Sequence, residues 1–206
     1  MKLKTVLKFW MTMMGLLVAS VSFAVELDQY KHVAHGVIFS IGRGLTFSND
    51  ELEAARTEEV SVGIQLVPNV LHLSVPFSNY EVDTRGHSDD VLPLGTLDVK
   101  TVGLALTLGL RGRWAPFVGI GGNFYSFEEQ FGQSAANIQN SFGAEGYGGL
   151  RFRLIEKIFD VAQLHGTIAY QFSLLKPDVS IPDRTDVEDL SLNRHSVTFR
   201  LELTGL

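Results

Sequence analysis

Along this chain apolar and polar residues alternate with a period of two, and the alternation repeats in segment after segment. Val60, Val62, Ile64 and Leu66 are separated by Ser61, Gly63 and Gln65, the pattern of a strand with two unlike faces. Beyond Pro68-Asn69 the parity switches: Leu71, Leu73, Val75 and Phe77 take one face and His72, Ser74 and Ser78 the other, which predicts a tight hairpin. The fourth segment sets Val102, Leu104, Leu106, Leu108 and Leu110 against Thr101, Gly103, Ala105, Thr107 and Gly109. After a turn from Arg111 to Pro116, a glycine-rich segment from Phe117 to Phe127 opposes Val118, Ile120 and Phe124 to Gly119, Gly121, Asn123 and Tyr125. From Gly143 to Leu154, Leu150, Phe152 and Leu154 oppose Glu145, Tyr147, Arg151 and Arg153. Leu164, Ile168, Tyr170, Phe172 and Leu174 then oppose His165, Thr167, Gln171 and Ser173; Val197, Phe199, Leu201 and Leu203 oppose Thr198, Arg200, Glu202 and Thr204. A weaker first segment, Lys31 to Arg43, has Val33, Val37, Phe39 and Ile41 outward and His35 as the exception.

Eight strands are therefore expected, joined by short turns after the second, fourth and sixth. Long connections follow the first, third, fifth and seventh, at about residues 44–57, 81–97, 128–141 and 175–193. Strict alternation of short and long connections, with an even strand count, is the plan of an antiparallel up-and-down barrel spanning the outer membrane with both termini in the periplasm. Segments of about 9 to 11 residues also suit a tilted transmembrane strand. A soluble sandwich or lipocalin-like barrel alternates too, but turns its apolar face inward. The minor face decides for the membrane: Glu145, Arg151, Arg153, Arg200 and Glu202 can pair in a polar lumen, while Val102 to Leu110 presents an outer face with no polar member.

Composition adjusts this picture in three ways. Lys2, Lys4 and Lys8, an apolar stretch from Phe9 to Val21 and Ser22-Phe23-Ala24 have the layout of a cleavable signal peptide, so residues 1–24 are expected to be removed and 25–206 to form one barrel domain. The apolar stretch falls short of the roughly 20 residues of a spanning helix. Removal leaves 14 basic against 23 acidic residues and a net charge of −9, which argues against nucleic acid as a partner. The chain has no cysteine, so disulfides and thiolate metal sites are excluded.

Trp114-Ala115-Pro116-Phe117-Val118-Gly119-Ile120-Gly121-Gly122-Asn123-Phe124 resembles the "PYVGAGxNY" segment of the outer membrane protein W (OmpW) family, and Ser141-Phe142-Gly143-Ala144-Glu145-Gly146 is similar to that family's "SWGxxG". Val62-Gly63-Ile64-Gln65-Leu66, Pro76-Phe77 and Leu92-Pro93 fall in the expected order. The likeness covers about residues 57 to 206. It departs at the end, where Leu203-Thr204-Gly205-Leu206 replaces the terminal Phe or Trp read by the barrel-assembly machinery. The resemblance implies an eight-stranded barrel whose narrow, partly apolar channel lets small hydrophobic molecules reach the membrane sideways through the wall. Its partners would be outer-membrane lipids, lipopolysaccharide and those solutes. Eight strands enclose little more than their own side chains, so a wide aqueous pore is excluded.

Within the lumen Glu145, Arg151, Arg153, Arg200 and Glu202 are expected to form an ion-paired plug in preference to a gate or anion site, and Tyr125 and Tyr147 to line an aromatic constriction or simply pack. A lipopolysaccharide-modifying enzyme would need a Ser and a His within reach, but the adjacent His195 and Ser196 point to opposite faces of one strand. His32, His35, His87, Asp89 and Asp90 lack metal-ligand spacing, and the acidic run Asp178 to Asp189 is read as a hydrophilic loop in preference to a divalent-cation site. No enzyme activity and no cofactor are expected. The alternative to transport is a structural or surface-interaction barrel with a plugged lumen, acting through its external loops.

Overall fold

The computed structural model describes residues 36–47, 52–84, 95–130, 137–159, 162–180 and 192–205. The expected signal segment, His32, His35, the His87–Asp90 group, most of the acidic run and Leu206 lie outside them. The described residues form β1 (Val37–Phe47), β2 (Ala55–Val67), β3 (Leu71–Thr84), β4 (Gly95–Gly109), β5 (Trp114–Gln130), β6 (Asn137–Ile138), β7 (Ser141–Ile158), β8 (Ala162–Leu174), β9 (Val179–Ser180) and β10 (Arg194–Gly205). Eight of them close an antiparallel barrel in the order β1-β10-β8-β7-β5-β4-β3-β2, and β6 pairs with β9 above it. Closure through the pairing of Ile38 with Thr204 and Phe47 with His195 leaves no free sheet edge.

The turns follow from local chemistry. Asn69, between β2 and β3, adopts φ 56°, a left-handed conformation that Asn tolerates well. Its N–H donates to Gln65 Oε1 at 2.9 Å. Gly112, between β4 and β5, has φ 147°, open to glycine. The bonds Gly109 N–H to the Val70 carbonyl (2.7 Å) and Arg153 N–H to the Arg113 carbonyl (2.9 Å) tie these turns to each other and to β7.

Two boundaries differ from the sequence expectation. The first strand is described over Val37–Phe47, past the expected end at Arg43, and adds Leu45 and Phe47 to the outer face; the expected start, Lys31 to His35, lies outside the described residues. The strands also run into the regions expected to be long connections, β3 to Thr84 and β5 to Gln130, β5 starts at Trp114 within the expected turn, and β7 runs on to Ile158 at the turn end.

Along β2, β3, β4 and β5 the sense of the alternation reverses. In the lower part the apolar side chains face out: Ile41, Val60, Phe77, Val102, Leu104, Ile120, Phe124, Ile168 and Phe199 are all exposed, the dress of a wall that meets lipid. Nearer the long connections Asn79, Glu81 and Asp83 face out, while Tyr80, Val82, Leu97, Val99, Tyr125 and Phe127 turn inward and are buried. Ile138 of β6, Val179 of β9, Leu52, Leu175 and Leu192 join them in one apolar cluster. Water outside that part of the barrel drives apolar groups in, where lower down lipid drew them out.

Candidate functional site

Below the apolar cluster the interior is polar, because every inward position of the lipid-facing strands alternates with an outward apolar one. Three ion pairs cross it. Arg194 Nη2 lies 3.2 Å from Glu145 Oε1, with both side chains only 4% exposed; Arg151 Nη2 lies 3.2 Å from Glu202 Oε1, and Arg200 Nη2 lies 3.0 Å from Glu59 Oε2. Glu145 is the most heavily bonded group. It accepts from Tyr125 Oη (2.7 Å), Gln171 Nε2 (2.6 Å), Ser173 Oγ (3.2 Å) and Arg194 Nη2 (3.2 Å). The Arg194 guanidinium also lies 4.9 Å from the Tyr80 ring centroid and 5.7 Å from that of Tyr125, so one cation joins the apolar cluster to the polar interior.

Lower down, Arg151 Nη2 donates to His72 Nδ1 at 3.0 Å and lies 5.9 Å from the Phe117 ring centroid. Tyr147 Oη and Thr107 Oγ1 are 2.7 Å apart. Buried pairs of this kind hold together only when their remaining donors and acceptors are also met. Glu145 satisfies that condition; Arg151 Nε, Arg200 Nε and Arg194 Nη1 have no hydrogen-bond partner.

Among the described residues these groups border three small cavities. One of about 40 Å³ lies among Ser40, Glu59, His72, Tyr147 and Arg151. One of about 10 Å³ lies above Arg194 within the apolar cluster, and one of about 90 Å³ opens at the turn end beside Arg151, Arg153 and His165. Arg151 borders both lower cavities. Since a single water needs roughly 10 to 15 Å³, the middle cavity has room for a few waters.

Of the residues singled out in the sequence, Glu145, Arg151, Arg200 and Glu202 lie in this polar interior. Arg153 does not join their pairs: it sits at the turn end and pairs with exposed Glu156 at 3.1 Å, because β7 shifts register just after it. Tyr125 and Tyr147 do not make a shared constriction. Tyr125 stacks on Phe127 in the apolar cluster, whereas Tyr147 packs on Phe117 lower down. Arg194 and Glu59, partners in two of the three pairs, were not anticipated. Glu59 lies one inward step before Ser61 and Arg194 two before Thr198, so extending the alternation of those two segments toward the long connections would have found both.

His195 is exposed on the outer face against Tyr170 and Phe172, and Ser196 is buried inside, so the two do not meet. Among the described residues no group of three or more His, Asp or Glu side chains is placed to hold a metal ion.

The wall itself has one weak place. Pairing of β3 with β4 keeps the same register throughout but skips Val75 and Pro76, opposite Gly103 and Leu104, while β2 still pairs with both Val75 and Pro76. Proline has no N–H for a ladder. Ser74, Pro76, Ala105 and Thr107 line the middle cavity at this seam.

No family model and no curated protein matches the chain. Solved structures do. The outer membrane protein OprG of Pseudomonas aeruginosa aligns with a TM-score of 0.57 at 14% identity, over 84% of this chain and 96% of that one. Neisserial surface protein A aligns at 0.52 and 12%, over 83% and 96%. The chain has the fold of the outer-membrane β-barrels. At such identities the likeness speaks of the fold alone, and the barrel's use has to be argued from its own interior and wall.

Proposed function

We propose that this barrel sits in the outer membrane and, like the OmpW family, gives small hydrophobic molecules a narrow route that leaves sideways through the wall. The interrupted β3–β4 seam at Val75–Pro76 carries this reading. Axial flow beyond the middle cavity is opposed by the Arg151–Glu202 pair, whose desolvated charges would have to separate; a solute entering from the apolar end reaches the seam only as the Arg194–Glu145 pair gives way. The apolar lining nearest the long connections suits a hydrophobic solute, and Phe77, Val102 and Leu104 outside the seam are exposed to lipid. Hydrophobic transfer then continues from one apolar surface to the next.

The packed interior favours a second reading, a closed barrel that works through its external loops. One experiment separates them: residues 25 to 206 are refolded into liposomes and uptake of a small hydrophobic fluorescent probe is followed, with a closed-lumen eight-stranded barrel as control. Uptake above control, reduced in Pro76→Val, is the expected result. A correctly folded barrel with no excess uptake would overturn the transport reading in favour of the loops.

A further inference from the structure

The turn end of the barrel holds a second feature, independent of any permeation route. The cavity of about 90 Å³ there is bordered by Arg111, Arg151, Arg153 and His165, together with Asn69 and Gly112 from the two turns. Four of the polar atoms around it are buried with no hydrogen-bond partner: the donors Arg151 Nε and Arg153 Nε, and Asn69 Oδ1 and His165 Nδ1. Buried donors left this way are rare in folded proteins. Arg151 is 5% exposed and His165 3%, so these two side chains reach solvent only through the cavity itself. His165 Nε2–H donates to Gln163 Oε1 at 3.3 Å, which leaves Nδ1, like Asn69 Oδ1, as an acceptor for an O–H of whatever occupies the cavity.

The carboxylates that pair with Arg151 and Arg153 do not use up their donors. Glu202 serves Arg151 through Nη2, and Glu156 serves Arg153 through Nη1; neither accepts from an Nε. The surrounding backbone is fixed, since the β4–β5 turn is bonded both to the β2–β3 turn and to β7. A site held in place with unspent donors is preorganised for an acceptor.

The geometry points to a binding site for a phosphate-class oxyanion at the turn end, the end that outer-membrane barrels direct to the periplasm. Guanidinium groups fit phosphate and carboxylate alike. Here they approach from the β4–β5 turn and from two positions of β7, which suits a tetrahedral anion with several oxygens better than a planar one with two. The same chemistry is offered by free phosphate and by the headgroup of an anionic phospholipid.

The test is calorimetric titration of the folded protein in a phosphate-free maltoside detergent, with inorganic phosphate in one arm and dihexanoyl phosphatidylglycerol in the other. Saturable binding that weakens about tenfold or more in Arg153→Gln, the scale of one lost charge-assisted bond, is the expected result. Tighter binding of the lipid would identify the source as a headgroup, and binding of phosphate alone a free anion. Arg111→Gln gives a second variant, and heat-modified electrophoretic mobility shows that each variant is folded. Absence of saturable binding in both arms, or binding unchanged in both folded variants, would overturn the assignment.

Discussion

The Tyr147 ring lies over Gly119, in the space where any other residue would carry its Cβ. The two are register partners on β7 and β5, and the ring is held there by Phe117 and by Thr107. Glycine at this position thus decides where the tyrosine goes. Gly119→Ala is expected to displace the ring and destabilise the barrel by about 1 to 3 kcal/mol, the usual cost of overpacking. Urea unfolding in detergent measures it, and an unchanged midpoint would count against a fixed Tyr147.

Glu145 and Arg194 should behave as a unit. Glu145→Ala leaves Arg194 buried without its carboxylate, and removal of one partner of such a pair typically costs about 3 to 5 kcal/mol. The double variant Glu145→Leu with Arg194→Met removes both charges and should be clearly less destabilised than Glu145→Ala. Additive losses in the same unfolding assay would show that the pair is not coupled.

At the seam, Gly103 and Leu104 pair with Asn123 and Gly122 of β5 but, unlike their neighbours on β4, not with β3. Their hydrogen exchange is expected to be faster than that of Ala105 and Leu106. Pro76→Val supplies an N–H and should slow it. Equal protection along β4 in the unaltered protein would mean that the wall is continuous there.

Across a planar bilayer the barrel is expected to pass no steady ion current, because ion pairs border the small cavities of its interior. Arg151→Ala with Glu202→Ala removes the boundary between the middle cavity and the turn end. Small, brief conductance steps should then appear. A steady current in the unaltered protein would contradict the closed axis.

Strand parity located most of the polar interior in advance because lipid enforces it. Each of Arg151, Arg200 and Glu202 is flanked by large apolar residues that face hydrocarbon, so its own direction follows, and Glu145 shares the parity of Arg151, six residues on. The apolar cluster was illegible for the converse reason. Tyr80, Val82, Leu97 and Val99 alternate with polar residues as well, but in the opposite sense, and a single template reads that stretch as loop. Arg153 keeps the parity, bordering the turn-end cavity, but its partner Glu156 lies beyond the point where β7 shifts register. The separation of Tyr125 from Tyr147 depends on the stagger between strands, which no single segment reveals.

Where the alternation reverses, the change follows the pairing from strand to strand. Val60, Phe77, Val102 and Phe124 are successive partners, and so are Glu58, Asn79, Lys100 and Ser126 one outward step above them. The molecule therefore carries its own waterline. Sinking it by one such step would press Lys100 and Glu58 toward hydrocarbon, and raising it would lift Phe77 and Val102 into water. Its depth is written into the staves, and a bilayer of different thickness must stretch or thin to meet that mark.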